Sequence, residues 1–323
     1  MESVKNEKSF SNDEYVCSLD PENLRKAKEE LHEDESVRES SISQMREYIA
    51  KDPQIIWCRT DHLFLLLFLR VRKFNVQAAC EMLRNMLMAI HTEPDSFKLR
   101  PTEWDTFIAQ SIALPLGPDD KGRMVILCRQ GQSDATMITM EEVIRMSILV
   151  FQTFCYIESY QINGAVLIID YQEVKMNHFA CWTIPKLKLW ISIVNNVLPI
   201  RLKEIHLIHL PKFANVVIEF SLSIMKPKLQ ERVKFHKSLE ELRAAVDNSV
   251  LPTIYGGQLS LDEANDRFRK RVEQERDRIL LLNEFVFDPT IPNPNATNYN
   301  RSGLHSEIAN EAVIGSFRKL NVD

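Results

Sequence analysis

The chain has 323 residues, 45% of them apolar, and a formal net charge of −5. That length can bury a large core, in one main domain with a smaller one beside it. Mild acidity excludes a general nucleic-acid binder, whose binding domain is normally basic. The charge is uneven, however: residues 1–50 hold thirteen acids and seven bases, whereas residues 199–237 hold eight bases and three acids.

In chain order, residues 1–20 form a polar tail without the apolar stretch of a secretory signal. PENLRKAKEELHEDESVRESSISQMREYIAKDP predicts two short charged helices, broken near Asp34–Ser36, with Ser36 as a candidate cap of the second. Asp61 is a candidate N-cap for the next helix, which carries FLLLFLRVRKF (64–74). Leu63 to Leu69 gives only seven apolar residues before Arg70, far short of the ~20 needed to span a bilayer. Phe64, Leu65, Phe68 and Leu69 recur at helical spacing and predict a buried face. NVQAACEMLRNMLMAIH continues as a helix with Val76, Ala79, Cys80, Leu83 and Leu87 on one side. Residues 21–95 therefore read as an all-helical subdomain.

The pattern changes from Pro115. GPDDKG predicts a turn, and RMVILCR (123–129), AVLIID (165–170) and EIHLIHL (204–210) predict strands. Between them lie a long buried helix over 138–161 and a helix over 184–198 with Pro185 in its first turn. This alternation indicates an α/β class with a mixed, largely parallel sheet over 96–260. Residues 261–323 read as a charged helix followed by an Asn/Pro-rich tail, in which the sequons at Asn295 and Asn300 carry no functional implication.

Motifs of catalysis are absent from the sequence. With only eight glycines it has no G-x-G-x-x-G, no Walker loop and no G-x-S-x-G elbow. Cys17, Cys58, Cys80, Cys128, Cys155 and Cys181 form no C-x-x-C pair, so neither a disulfide framework nor a zinc site is expected, and a reducing cytosol is. His206 and His209, three apart on a strand, point to opposite faces and do not share a metal. Asp170, at a strand's C-terminal end, reads either as a catalytic carboxylate or as a loop- and helix-capping one. No catalytic, metal or cofactor site is expected.

FANVVIEFSLSIM (213–225) is the most informative segment. Asn215, Glu219 and Ser223 make a narrow polar stripe on an otherwise apolar helix, and Lys226, Lys228, Arg232, Lys234 and Lys237 follow. Such an arrangement is either core beside a solvated basic face or a surface suited to an anionic bilayer.

The ordered set FLRVRKF, GRMVILCRQG, INGAVLIID, PIRLKEIHLIHLP and LPTIYGG resembles the CRAL-TRIO lipid-binding family, in its alpha-tocopherol transfer protein and retinaldehyde-binding protein branch, over roughly residues 45–260. The resemblance implies a non-catalytic cytosolic carrier, peripherally associated with membranes, whose helical subdomain packs on an α/β domain with a gate helix over an apolar pocket. On that basis 213–225 is the gate. Ser147, Phe151, Ala165, Ile169, Ile193, Val194, Leu198, Ile200 and Ile205 fall at pocket positions, joined by Phe213, Val217 and Phe220 of the gate. Arg72, Arg201, Lys203, Lys228 and Arg232 fall at phosphoinositide-binding positions; Lys228 and Arg232, four apart, would be neighbours on a helix face. The chain departs from the pattern at Glu81, where the tocopherol carrier has another phosphate-binding arginine; Arg84 lies about a turn further on. It also departs at Phe151, which replaces a small polar residue, at Pro252-Thr253-Ile254, which lacks the usual acid before YGG, and after Asp170, where a glycine is often found. The implied partners are a small hydrophobic ligand (tocopherol, retinoid, carotenoid, sterol-like molecule or phospholipid) and a phosphoinositide membrane. The alternative is a lipid-sensing regulatory or scaffolding module that binds proteins.

Overall fold

The computed structural model describes residues 9–10, 15–134, 138–179 and 182–293; Cys181, Asn295 and Asn300 lie outside them. Helix α1 (Pro21–Lys26) runs into a π-turn (Ala27–Leu31) and is followed by α2 (Glu35–Lys51). Asp34, not Ser36, caps α2, its side chain accepting from the Val37 N–H; Ser36 lies within the first turn. Strand β2 (Ile55–Arg59) then pairs in parallel with β1 (Ser9–Phe10) and antiparallel with β8 (Val286–Phe287). The N-terminal region is thus not all-helical. Ile55–Arg59 extends because its hydrogen-bond partners are supplied from both ends of the chain.

Asp61 caps α3 (His62–Val71) through the Phe64 N–H, and Phe64 to Arg70 are all buried. Helices α4 (Val76–Thr92), α5 (Pro94–Phe97) and α6 (Pro101–Ala109) complete this layer. Arg70, 0% exposed, explains the charge at the end of the apolar run. It bonds Glu33 and Glu158 at 2.7 and 2.8 Å and Gln161 at 2.7 Å, locking α3 to α8 and to the segment before α2.

The main sheet has the order β3 (Ala113–Pro118), β4 (Met124–Arg129), β5 (Ala165–Asp170), β6 (Leu202–Ile208) and β7 (Val233–His236). Only the β3–β4 pair is antiparallel, so the expected mixed, largely parallel α/β sheet is present. Edge strand β3 was not predicted because Pro115 and Gly117 argue against a strand. An edge position tolerates the proline, and a bulge between Pro115 and Gly117, with Gly117 at φ +119°, absorbs the irregularity.

The expected long helix is two: α7 (Met140–Phe154), opened by a Thr139/Glu142 capping box, and α8 (Glu158–Asn163). The Gln161 amide donates to the Cys155 carbonyl at 2.8 Å, satisfying a backbone group that the break frees. Helix α9 (Ile184–Ser192) continues as a π-turn (Ile193–Val197). After β6 come α10 (Asn215–Ile224) and α11 (Pro227–Gln230), and after β7 come α12 (Leu239–Ala245), α13 (Leu261–Gln274) and α14 (Arg276–Leu280). No helix among the described residues is long and apolar enough to cross a membrane.

Alternation along the strands gives the sheet two different faces. Val125, Leu127, Val166 and Ile168 join a core shared with Leu242, Val246, Leu251 and Tyr255. On the opposite face Leu167, Ile169, Ile205 and Leu207 front a cavity.

Candidate functional site

The cavity measures about 180 Å³. Its floor is the second face of the sheet. Its walls are Val143, Met146 and Ser147 of α7 and Leu187, Trp190, Ile191 and Val194 of α9 and its π-turn, each set at helical spacing. Helix α10 covers it with Val217, Ile218, Ser221 and Leu222, while Asn215, Glu219 and Ser223 face outward. The polar stripe is thus the solvent face, and the apolar bulk of α10 roofs a space instead of filling a core. No Asp, Glu, Lys or Arg is among the described residues that line it. Ser147 and Ser221 turn their hydroxyls back onto the carbonyls of Val143 and Val217, at 2.8 and 2.7 Å. Burial pushes the lining Cys128 thiol up to about 12, so it is protonated and behaves as an apolar group.

Of the residues singled out in the sequence, Ser147, Ile169, Val194, Ile205 and Val217 line this cavity. Phe151, Ala165 and Ile200 line a second, smaller one of about 50 Å³, together with Leu67, Val71 and Arg201. Ile193 and Leu198 are buried in the main core and Phe220 is half-buried on α10. Phe213 is 40% exposed and meets Phe179 edge-on at 5.9 Å. Sequence reasoning passed over Tyr171, Trp182 and Trp190. The spacing of Leu187, Trp190, Ile191 and Val194 could have given Trp190; Tyr171, just past a strand, has no such signal.

Two of the five basic residues singled out in the sequence share one acid. Arg201 and Lys203, flanking the start of β6, pair with Glu30 of the N-terminal π-turn at 3.1 and 3.3 Å. The Arg201 guanidinium also donates to the Ile162 carbonyl, and Arg232 donates to the Leu202 carbonyl. Burial lowers the pKa of Arg201, with Glu30 opposing and neighbouring Arg232 adding to the shift. Lys203 is lowered by burial, then by Arg201 and Lys26. For Glu30 burial acts upward, but Lys203 and Arg201 hold its carboxyl below the usual range. Lys26, not anticipated from sequence, belongs to this group and donates to Asn163 at 2.6 Å. Lys228 is exposed on α11, which ends at Gln230, so Arg232 lies in the turn beyond it and the two do not share a helix face as their spacing suggested. Arg72 stands apart: its charged neighbour is Glu81, burial lowers its pKa, and its buried Nε has no hydrogen-bond partner among the described residues. Arg84 is committed to Asp52 and Gln54 and stacks over Phe287.

The remaining candidates have structural partners. Asp170 accepts from the Tyr255 hydroxyl of the YGG motif, from the Gln172 N–H at 2.8 Å, and pairs with His209 at 2.8 Å. His206 is 0% exposed and bonds His236 at 2.8 Å and Glu204 at 3.1 Å, apart from His209. No group of three metal-ligating side chains occurs among the described residues, and Cys17, Cys58, Cys80, Cys128 and Cys155 are free thiols.

The CRAL/TRIO domain model matches residues 109–257. The human alpha-tocopherol transfer protein-like protein is 30% identical over 249 residues, covering 75% of this chain and 72% of that one. Human clavesin-2 is 27% identical over 266 residues, 81% of each chain. Among solved structures, the crystal structure of Sfh5 aligns with a TM-score of 0.45 at 11% identity, covering 81% of this chain and 100% of that one.

Proposed function

The chain belongs to the CRAL/TRIO family, and from that premise we propose that it is a non-catalytic carrier. It encloses one small hydrophobic molecule of the tocopherol, retinoid or carotenoid kind and delivers it, from the cytoplasm, to phosphoinositide-containing membranes. The observation that supports this most is the uncharged cavity between sheet, α7, α9 and α10. Removing apolar ligand surface from water favours enclosure by ~25 cal/mol per Å². Helix α10 is the lid, and a membrane that binds the adjoining basic face better in the lid-open form supplies the bias toward release. Arg201, Lys203, Lys228 and Arg232 are the headgroup contacts, with Arg72 a more distant member.

The test is transfer of a fluorescent retinoid or tocopherol to vesicles with and without phosphoinositide. Arg201, Lys203, Lys228 and Arg232 would be changed together to Gln, which keeps hydrogen-bonding capacity toward the Ile162 and Leu202 carbonyls. The expected result is loss of the phosphoinositide stimulation with ligand affinity unchanged. Stimulation equal to wild type would remove these residues from the mechanism.

A further inference from the structure

The cavity is not uniformly apolar. Tyr171 and Gln130 both line it, and neither side chain has a hydrogen-bond partner among the described residues, although the backbones of both are bonded. Of the other polar lining groups, the serines bond their own helices and His178 bonds the Lys175 N–H and the Ser133 carbonyl, while the indole N–H groups of Trp182 and Trp190 are donors only and are also without a partner among the described residues.

Their placement side by side is built into the fold. Strands β4 and β5 run parallel, with Arg129 opposite Asp170 as the last pair, so Gln130 and Tyr171 each follow directly at the C-terminal edge of the sheet. Gly131 then packs against the next turn so closely that a Cβ there would lie 2.0 Å from the Gln172 carbonyl oxygen. The other end of the cavity is different: Leu202, Val233, Leu222 and Met225, at the starts of β6 and β7 and the end of α10, offer only apolar groups. A hydroxyl or an amide left without partners beside an apolar cavity is destabilising unless an occupant supplies one.

We propose that Tyr171 and Gln130 form a hydrogen-bonding subsite for a single uncharged hydroxyl or carbonyl at one end of the occupant. The ligand then lies head to the C-terminal strand edge and tail beneath the end of α10. This rests on the carrier reading above and adds an orientation and a polarity requirement to it. Burial, with the Cys128 thiol contributing, raises the Tyr171 pKa above its ordinary value, so the hydroxyl stays neutral and can both donate and accept. A carboxylate or phosphate head is disfavoured, because no cation among the described lining residues meets it.

The experiment is competitive loading of the delipidated full-length chain, read by native mass spectrometry. The probe pairs are hexadecan-1-ol with hexadecane and farnesol with farnesene, tested on wild type, Tyr171→Phe and Tyr171→Phe/Gln130→Leu. Wild type is expected to prefer the alcohol of a bound pair. Tyr171→Phe is expected to reduce that preference about five- to tenfold, the size of one buried hydrogen bond, and the double variant to abolish it. Hydrocarbon uptake should not change. Equal uptake of alcohol and hydrocarbon by wild type, or a preference that survives in the double variant, overturns the subsite while leaving the carrier reading in place. If no probe loads in any variant, the carrier reading fails and the subsite with it.

Discussion

Arg70 and His206 are both 0% exposed, and both show what single residues contribute through partners distant in sequence. Replacing Arg70 with Ala removes the buried cation that Glu33 and Glu158 share, leaving Glu33 only the longer Arg38 contact and Glu158 only the Tyr15 and Ser18 hydrogen bonds. The expected loss is about 3–5 kcal/mol in a urea titration; a loss below about 1 kcal/mol would show that those acids find other partners. For His206, burial lowers the folded-state pKa to about 4 from 6.5, with Glu204 opposing. As pH falls through 6.5 the unfolded chain takes up a proton that the folded chain refuses, so stability drops between about 6.5 and 4. The full contribution is on the order of 3 kcal/mol. Glu204, lowered to about 2 despite its burial, extends the loss below 4.5. A His206→Gln variant should flatten the unfolding midpoint between pH 6.5 and 5; an unaltered slope would assign the acid sensitivity elsewhere. The burial of 64–69 was legible because its spacing is local. The role of Arg70 was not, since Glu33 and Glu158 are placed beside it only by the folded chain.

At the scale of elements, the longer α-helices and the central strands were readable because periodicity and caps are local properties, whereas the shorter helices α5, α6, α11 and α12 were not anticipated. Strands β2, β3 and β7 were not. The first depends on partners from both chain ends, the second carries Pro115, and the third is a short edge strand with Lys234 and Phe235 exposed. The same limit divides the pocket residues: helix spacing identifies a buried face but not whether the face meets side chains, as at Ile193, or open space, as at Val194. Glu30 is an element-scale feature that the basic residues alone did not reveal, since it brings an acid from the N-terminal π-turn onto Arg201 and Lys203. It competes with any anionic headgroup there. Glu30→Gln should tighten binding to phosphoinositide vesicles about fivefold at low salt, from ~1 kcal/mol per unit charge at such a surface, with the gain shrinking as salt screens it. Unchanged affinity in a co-sedimentation assay would place the headgroup contact elsewhere.

Taken whole, the molecule uses its termini to hold the scaffold and its sheet to hold a space. The β2–β8 pairing and the Asn283 bonds to the Leu99 backbone, both 2.8 Å, tie the C-terminal segment to the helical layer. Truncation after Asn283, which removes β8, should therefore lower the melting temperature. A melting curve of the truncated chain beside the whole one decides this, and equal curves would contradict it. The cavity makes a matching demand: a ligand that binds only the folded chain adds about 2.7 kcal/mol at one hundred times its Kd, so the loaded protein should melt higher than the extracted one.

The most direct measurement is native mass spectrometry of the protein as purified, followed by organic extraction and identification of what is released. A single hydrophobic molecule per chain, carrying one uncharged polar end, is the predicted result. A chain that arrives empty and takes up no retinoid, tocopherol or carotenoid would contradict the carrier account.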